Sequence, residues 1–307
     1  MVKPKVSIIV LNFNGLNLTK EELIDISKLE TKGLDAETIV VDNGSKDGIE
    51  EALSNHKLPN MGYKFIETGA NLGFAGGNNA GIRDALDRGV DYVMVLNNDT
   101  LLDKDVLVRL MGVLEQDQKV GAVSPKIYFA KGFEFHKERY NKTDIGKVIW
   151  YAGGKIDWKN VYGSARGADE VDTGKYETVQ ETDFAAGACM LLKAKALKEV
   201  GLFDENFFMY YEDTDLSQRM KKADWKVLYY PEALIWHKVA QSSGIGSELN
   251  DYFLTRNRMI FGMKYASLRT KFALFRESIK LLLKGRKWQK IGTRDFYLGR
   301  WGKGSWK

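Results

Sequence analysis

Apolar runs of four to eight residues recur through the first 125 positions, and each is followed by a polar turn. VSIIVLNF from Val6, ETIVV from Glu37, the segment Tyr63 to Glu67, DYVMVL from Asp91 and a run opening at Val120 read as strands. Segments with helical spacing lie between them, at 19–29, 47–55, 75–88 and near 103–116. Strands joined by helices of this length predict parallel βαβ units. The strands are apolar at nearly every position, as expected when helices cover both sheet faces. In an open sheet of this kind ligands bind beyond the carboxyl ends of the strands. The turns NFNG, DNGS, NLGFAGGNN and NNDT therefore fall on one rim.

The pattern changes at about 130–185. FHKERYNKTDIG is polar, whereas IWYAGGKIDW and YETVQETDF read as short antiparallel strands. Positions 187–240 return to α/β character, with a helix at 212–222, and a long helix is expected at 248–266. A basic amphipathic segment follows, carrying Phe272, Leu274, Phe275, Ile279, Leu281, Leu282 and Leu283. The expected organisation is an α/β body over 1–245, with halves at about 1–125 and 126–245, and a helical extension over 246–307.

Composition narrows the class. The chain has 307 residues, 44% hydrophobic and 28% charged, with only 4 Pro, which excludes collagen-like and disordered sequences. A single cysteine, Cys189, rules out an internal disulfide and a four-cysteine zinc site and fits a reducing compartment. Three histidines, His56, His136 and His237, leave little for a histidine metal cage. No run of 18 apolar residues occurs, and the N-terminal apolar run lacks a cleavage site, so a cytoplasmic protein is the default expectation.

The charge is unevenly spread. From Lys264 onward there are 13 Lys/Arg and 2 acids, a net +11; the rest, with 33 basic and 39 acidic residues, carries −6. Such a tail suits either a helix lying peripherally on an anionic membrane or one packed on the body with a solvated basic face. No nucleic-acid-binding motif accompanies it.

Five motifs are candidates for chemistry. Asp42 in VVDNGSKD follows a buried strand, where a carboxylate accepts bonds from a base or ribose; the same letters also make a turn. In NLGFAGGNNAG, Gly73, Gly76 and Gly77 permit close backbone approach ahead of a helix N-terminus, or serve only a tight connection. The order is not GxGxxG, and no P-loop Lys-Ser/Thr follows, which disfavours a dehydrogenase or an ATPase. Asn97-Asn98-Asp99-Thr100 offers oxygen ligands for Mg²⁺ or Mn²⁺, with Asp99 the strongest, or else caps the next helix. Glu212, Asp213 and Asp215 crowd one helix start, where mutual repulsion raises a carboxyl pKa toward that of a general base, or where they complement the helix dipole. His237 closes the apolar run ALIWH and gains meaning only if the fold returns it to the NNDT rim.

In order and spacing these segments resemble glycosyltransferase family 2, inverting nucleotide-sugar transferases of the GT-A fold, over about 5–240. VSIIVLNFNG, VVDNGSKDG, NLGFAGGNNAGI, LNNDT, GACMLLKAKALKEVGLFDENFFMYYEDTDLSQR and YYPEALIWH carry the likeness, which is nearest to bacterial rhamnosyltransferase-like members. The resemblance implies a mostly parallel Rossmann-like sheet flanked by helices, with a small antiparallel portion and the helical C-terminal extension. It implies a nucleotide-sugar site at Leu11, Asn12, Asp42, Asn71, Gly73, Gly76 and Asn98. It implies Asp99 and His237 as contacts for Mg²⁺ or Mn²⁺, although Asn97 replaces the first acid of a DxD motif. Asp213 becomes the catalytic base, with Glu212 and Asp215 supporting it or orienting the acceptor. The donor is then dTDP-rhamnose or a UDP-sugar, and the acceptor a glycan or lipid-linked hydroxyl. The alternative is a non-catalytic nucleotide-sugar or glycan-binding protein on the same fold, which has no need of a base at Asp213.

Overall fold

The computed structural model describes residues 3–54, 62–239 and 247–307; His56 and the last residue of the 47–55 helix expectation lie outside them. The first half alternates as its apolar pattern requires: β1 (Lys5–Asn12), α1 (Leu16–Ile26), β2 (Asp35–Asp42), α2 (Ile49–Ser54), β3 (Tyr63–Glu67), α3 (Gly73–Asp87) and β4 (Tyr92–Asn97). β5 (Thr100–Leu102), α4 (Val106–Gln116) and β6 (Val120–Phe129) follow. Thr100 begins a short strand, and α4 starts after Asp105, so the NNDT turn caps no helix.

The run β3-β2-β1-β4 is parallel throughout. Its register sets Asn12 beside Asp42 and Leu11 beside Asn97, which places the polar turns on one rim. Alternate side chains of β1 enter different cores. Ile8 and Val10 pack with Leu23 of α1 and Leu107 and Leu110 of α4. Ile9 packs with Ile82 and Ala85 of α3. Burial on both faces explains why the strands show no polar alternation.

The second half contributes β7 (Ile149–Tyr151), β8 (Gly154–Asp157), β9 (Tyr162–Ala165), β10 (Gln180–Glu181), β11 (Cys189–Lys193), α5 (Ala194–Val200), α6 (Glu212–Lys222) and β12 (Lys226–His237). β11 runs antiparallel between β4 and β6, and β12 runs parallel to β6. β8 and β9 form a separate antiparallel hairpin. β12 slips register against β6 between Tyr230 and Leu234, where Pro231 cannot donate to the ladder. Beyond this bulge β12 also pairs with β5, His237 opposite Thr100. His237 is thereby returned to the NNDT rim.

Three helices close the chain: α7 (Glu248–Tyr265), α8 (Leu268–Lys284) and α9 (Lys287–Tyr297). They share cores with the body. Tyr252 and Phe253 of α7 and Trp288 of α9 cluster with Phe208. Ile260 and Phe261 of α7 and Leu274 of α8 cluster with Ile156, Val161, Phe207 and Tyr211. α8 buries only Thr270, Leu274 and Ser278 and leaves most of its large apolar side chains exposed.

Candidate active site

Two cavities adjoin at the carboxyl rim. The first, of about 310 Å³, is bounded by Leu11, Asn43, Asn71, Gly73, Asn98 and Asp99, with Phe208 and Trp306 opposite. The second, of about 390 Å³, is bounded by Trp150, Tyr151, Tyr162, Phe184, Glu212, Asp213 and Leu254.

Beneath the first cavity lies a polar network anchored on Asn12. Its side-chain amide donates to Asp42 Oδ1 (3.2 Å), Ser45 Oγ (2.9 Å) and Asp47 Oδ2 (3.2 Å), and its oxygen accepts from Thr19 Oγ1 (2.8 Å). Asn12 is fully buried, so its side chain is a strut below the cavity wall. The Asp42 carboxylate accepts from the Ser45 backbone N–H, so the turn chemistry visible in DNGS is realised alongside the strand-end position. Asn43, which the motif reading did not single out, fastens the glycine turn. It accepts from Leu72 N (2.9 Å) and donates to Asn71 Oδ1 (3.2 Å) and Gly73 O (3.1 Å). Gly73 has φ +75°, and a Cβ there would overlap the Phe208 carbonyl, so glycine is required twice over. Gly76 faces Leu72 and Glu205. The neighbouring Gly77 is the one against which Leu11 packs, leaving no room for a Cβ.

Asp99 closes the strand-end row. Its Oδ1 lies 2.9 Å from His237 Nε2, both residues being nearly buried, and His237 Nδ1 has no partner. Two ligands on adjacent corners of an octahedron with bonds of about 2.1 Å stand about 3 Å apart. A carboxylate and an imidazole at 2.9 Å therefore suit a pair of ligands for one Mg²⁺ or Mn²⁺, the remaining positions being open to phosphate and water. No cluster of three or more His, Cys, Asp or Glu side chains with metal-binding spacing occurs among the described residues. Asn98 is turned aside and donates to Thr19 Oγ1 (2.9 Å). Behind Thr100, the buried carboxyl of Glu22 accepts from its backbone N–H and hydroxyl, and burial raises the Glu22 pKa.

The second cavity is organised around the start of α6. Asp213 Oδ2 accepts from Gly187 N (3.0 Å), and Oδ1 accepts from Thr214 N (2.6 Å) and Thr214 Oγ1 (3.0 Å). Burial pushes its pKa up and these hydrogen bonds partly restrain it. Glu212 has no partner for Oε2, and burial, with Asp213 and Asp215 nearby, holds its pKa well above the usual carboxylate range. Asp215 turns away from the cavity. It is fully buried between Arg219 Nε (2.8 Å), Lys264 Nζ (3.1 Å) and Tyr265 OH (2.8 Å), and ties α6 to α7.

The cavities share two partitions. Gly187, which holds Asp213, lies against the ring of Phe74, a wall of the first cavity. His237, which holds Asp99, meets Trp150 of the second cavity edge-on at 4.7 Å. Residues 207–211 run between the cavities with Phe208, Tyr210 and Tyr211 all at positive φ. The strain is held from α7. Asn257 Nδ2 donates to Phe207 O (2.8 Å), Met209 O (2.7 Å) and Tyr210 O (2.9 Å), and Arg256 Nη2 donates to Phe207 O (3.0 Å). Neither residue is marked by local spacing, since their partners lie 47 to 50 positions away.

The two cavities thus adjoin at the strand ends, with Asp99 at one and Asp213 at the other. The profile of "Glycosyl transferase family 2" matches residues 7–201, and that of "Glycosyl transferase family group 2" matches 157–297. The chain belongs to glycosyl transferase family 2. It is 29% identical, over 67% of its length and 67% of the relative, to N-acetylglucosaminyl-diphospho-decaprenol L-rhamnosyltransferase of Mycobacterium tuberculosis. It is 27% identical to the low-salt glycan biosynthesis hexosyltransferase Agl10 of Haloferax volcanii, over 70% of this chain and 61% of that one. It is also 27% identical to poly-beta-1,6-N-acetyl-D-glucosamine synthase of Staphylococcus epidermidis, over 78% of this chain and about half (51%) of the relative. Among solved structures, the mannosyltransferase PcManGT from Pyrobaculum calidifontis in complex with GDP-Man and Mn²⁺ superposes with TM-score 0.57 at 17% identity, covering 97% of this chain and 75% of that one. GalNAc-T7 with UDP, GalNAc and Mn²⁺ gives 0.62 at 16%, covering 91% and 57%. These likenesses establish the GT-A fold, and the rhamnosyltransferase kinship read from the motifs holds.

Proposed function

We propose that this chain moves a sugar, with inversion, from a nucleotide-diphosphate donor to a hydroxyl of a glycan or lipid-linked acceptor in cell-envelope polysaccharide synthesis. The donor is dTDP-rhamnose or a UDP-sugar, in keeping with the rhamnosyltransferase relative, and the enzyme works on the cytoplasmic side, peripheral to the inner face of the membrane. The observation that carries the reading is the shared partition, with Asp99 in one cavity and Asp213 in the other. Leu11, Asn43, Asn71, Gly73 and Asn98 wall the nucleotide-sugar cavity, Asn12 and Asp42 brace the strand ends behind it, and Gly76 lies in the first turn of the helix that Gly73 opens.

Asp99 and His237 would hold Mg²⁺ or Mn²⁺, which when bound offsets diphosphate charge. Asp213 accepts the proton of the acceptor hydroxyl as its oxygen attacks the anomeric carbon opposite the diphosphate. The C–O bond to the diphosphate breaks, and its electron pair leaves with the nucleoside diphosphate. One displacement needs one base and no enzyme nucleophile. Gly187 and Thr214 fix the carboxylate toward the cavity, and the Trp150 and Tyr151 walls limit water.

The test pairs two variants. Asp213→Asn is expected to lower turnover by about 10²–10⁴-fold while donor affinity in Mn²⁺ stays within error. Asp99→Ala is expected to abolish the Mn²⁺ dependence of donor binding measured by calorimetry. Full turnover by the first variant would remove Asp213 as the base, and an unchanged Mn²⁺ titration in the second would remove Asp99 as a ligand.

A further inference from the structure

We propose that the outward face of α8 docks on an anionic lipid bilayer and that the mouth of the acceptor cavity faces the same bilayer. The first half makes specific the peripheral placement proposed above, and the second rests on the acceptor reading. Leu268, Phe272, Phe275, Ile279 and Leu282 recur at alternating steps of four and three, which aligns them in one stripe along the helix. In a helix packed by this stripe the large residues would be buried. Here the buried residues are Thr270, Leu274 and Ser278, and the stripe is outside, with Leu268 at 85%, Phe272 at 64% and the adjacent Leu283 at 70% exposure.

The charges beside the stripe select its occupant. None of Arg269, Lys271, Arg276, Lys280 and Lys284 forms a salt bridge with an acid among the described residues. A second copy laid on this face would set these cations against themselves. An anionic headgroup layer neutralises them while the acyl region takes up the apolar side chains.

The side of α8 opposite the stripe packs close to the acceptor cavity. Thr270 Oγ1 donates to the Trp158 carbonyl (3.2 Å), and Trp158, 38% exposed, stacks on Phe261. Arg258 of α7 makes a bidentate pair with Glu277 of α8 and lays its guanidinium 4.0 Å over the ring of Tyr162. Tyr162 and Leu254 border the acceptor cavity and are half exposed. The inner side of α8 is thus tied, through Trp158 and Arg258, to residues that border the cavity holding Asp213.

The whole chain is to be floated with phosphatidylglycerol vesicles and, separately, with phosphatidylcholine vesicles. Binding is expected to the first, weakened by salt, and weak to the second. The double variant Phe272→Glu/Ile279→Glu, at exposed positions, is expected to keep its melting temperature and lose about tenfold or more in vesicle affinity. Equal flotation by the variant overturns the proposal. So does a dimer in light scattering that the variant disrupts while neither protein floats. Vesicle binding requires no turnover, so failure of the transferase reading is seen separately. For orientation, an environment-sensitive dye is placed on Leu268→Cys and on Tyr162→Cys, the native Cys189 being buried. Blue shifts at both sites on phosphatidylglycerol vesicles are expected; a shift at 268 without one at 162 overturns the second half.

Discussion

Glu212 and Asp213 are neighbours in sequence, yet their carboxylates are held differently. Asp213 has three donors on its oxygens, whereas Glu212 leaves an oxygen unpartnered in a buried site. Both pKa values are raised by burial, so the native state keeps a proton that the unfolded chain releases at about pH 4. Their contribution to stability is therefore present at low pH and falls as pH rises from about 4 toward the native pKa values. Glu212→Gln removes one of the two raised carboxyl groups. Its melting temperature is expected to fall less than that of the native protein between about pH 4 and 8; parallel slopes would show that Glu212 has no raised pKa. At this scale the sequence was legible where a strand end or helix start marks the residue: Leu11, Asn98, Asp99, Asp213 and His237 all border or support the cavities. Motif position does not reveal which way a side chain turns. Asn12 and Asp215 are fully buried in internal contacts, Asn43 fastens the glycine turn, and Leu11 packs against Gly77.

Among elements, α7 differs most from its expected role. The spacing at 248–266 announced a helix, but not that Arg256 and Asn257 would capture the carbonyls of the positive-φ segment beside Asp213. Asn257→Ala leaves three of those carbonyls without their amide donor. A loss of about 1–3 kcal/mol in unfolding free energy is expected, with a fall in kcat that exceeds any change in donor affinity. An unchanged kcat would mean that the segment holds its shape without α7. The βαβ elements were legible because their period and length are local properties. β5 and β9 were not, and for α9 only the helical character of the extension was read, not its bounds. β5 and β9 are only 3 and 4 residues long; β5 exists through a partner distant in the chain, Thr100 pairing with His237, and β9 through its hairpin partner β8, Tyr162 pairing with Asp157 across a turn. α9 carries mostly polar residues and is fixed by burying Trp288 against Tyr252 and Trp306.

For the whole molecule, the boundary suggested at about 245 crosses two hydrophobic clusters. Phe207, Phe208 and Tyr211 of the body pack with Tyr252, Phe253 and Phe261 of the extension. A chain of residues 1–245 exposes these aromatic rings, each contributing on the order of 1.5–3 kcal/mol when buried. It is expected to be insoluble or to bind hydrophobic dye, whereas the full chain unfolds in one calorimetric transition. A well-folded 1–245 fragment, or two resolved transitions, would show that the units are independent. The basic residues that the sequence concentrates after Lys264 lie on helices whose inner sides complete the same cores.

The left-handed stretch at 207–211 has a consequence for how such a protein diversifies. Its peptide groups back onto both compartments at once, so a replacement there that reshapes one chamber also deforms the other. New acceptor preference has freer scope on the β8–β9 hairpin, whose Tyr162 and Ser164 border one chamber only. Libraries built on that hairpin should alter what receives the sugar while leaving intact what delivers it.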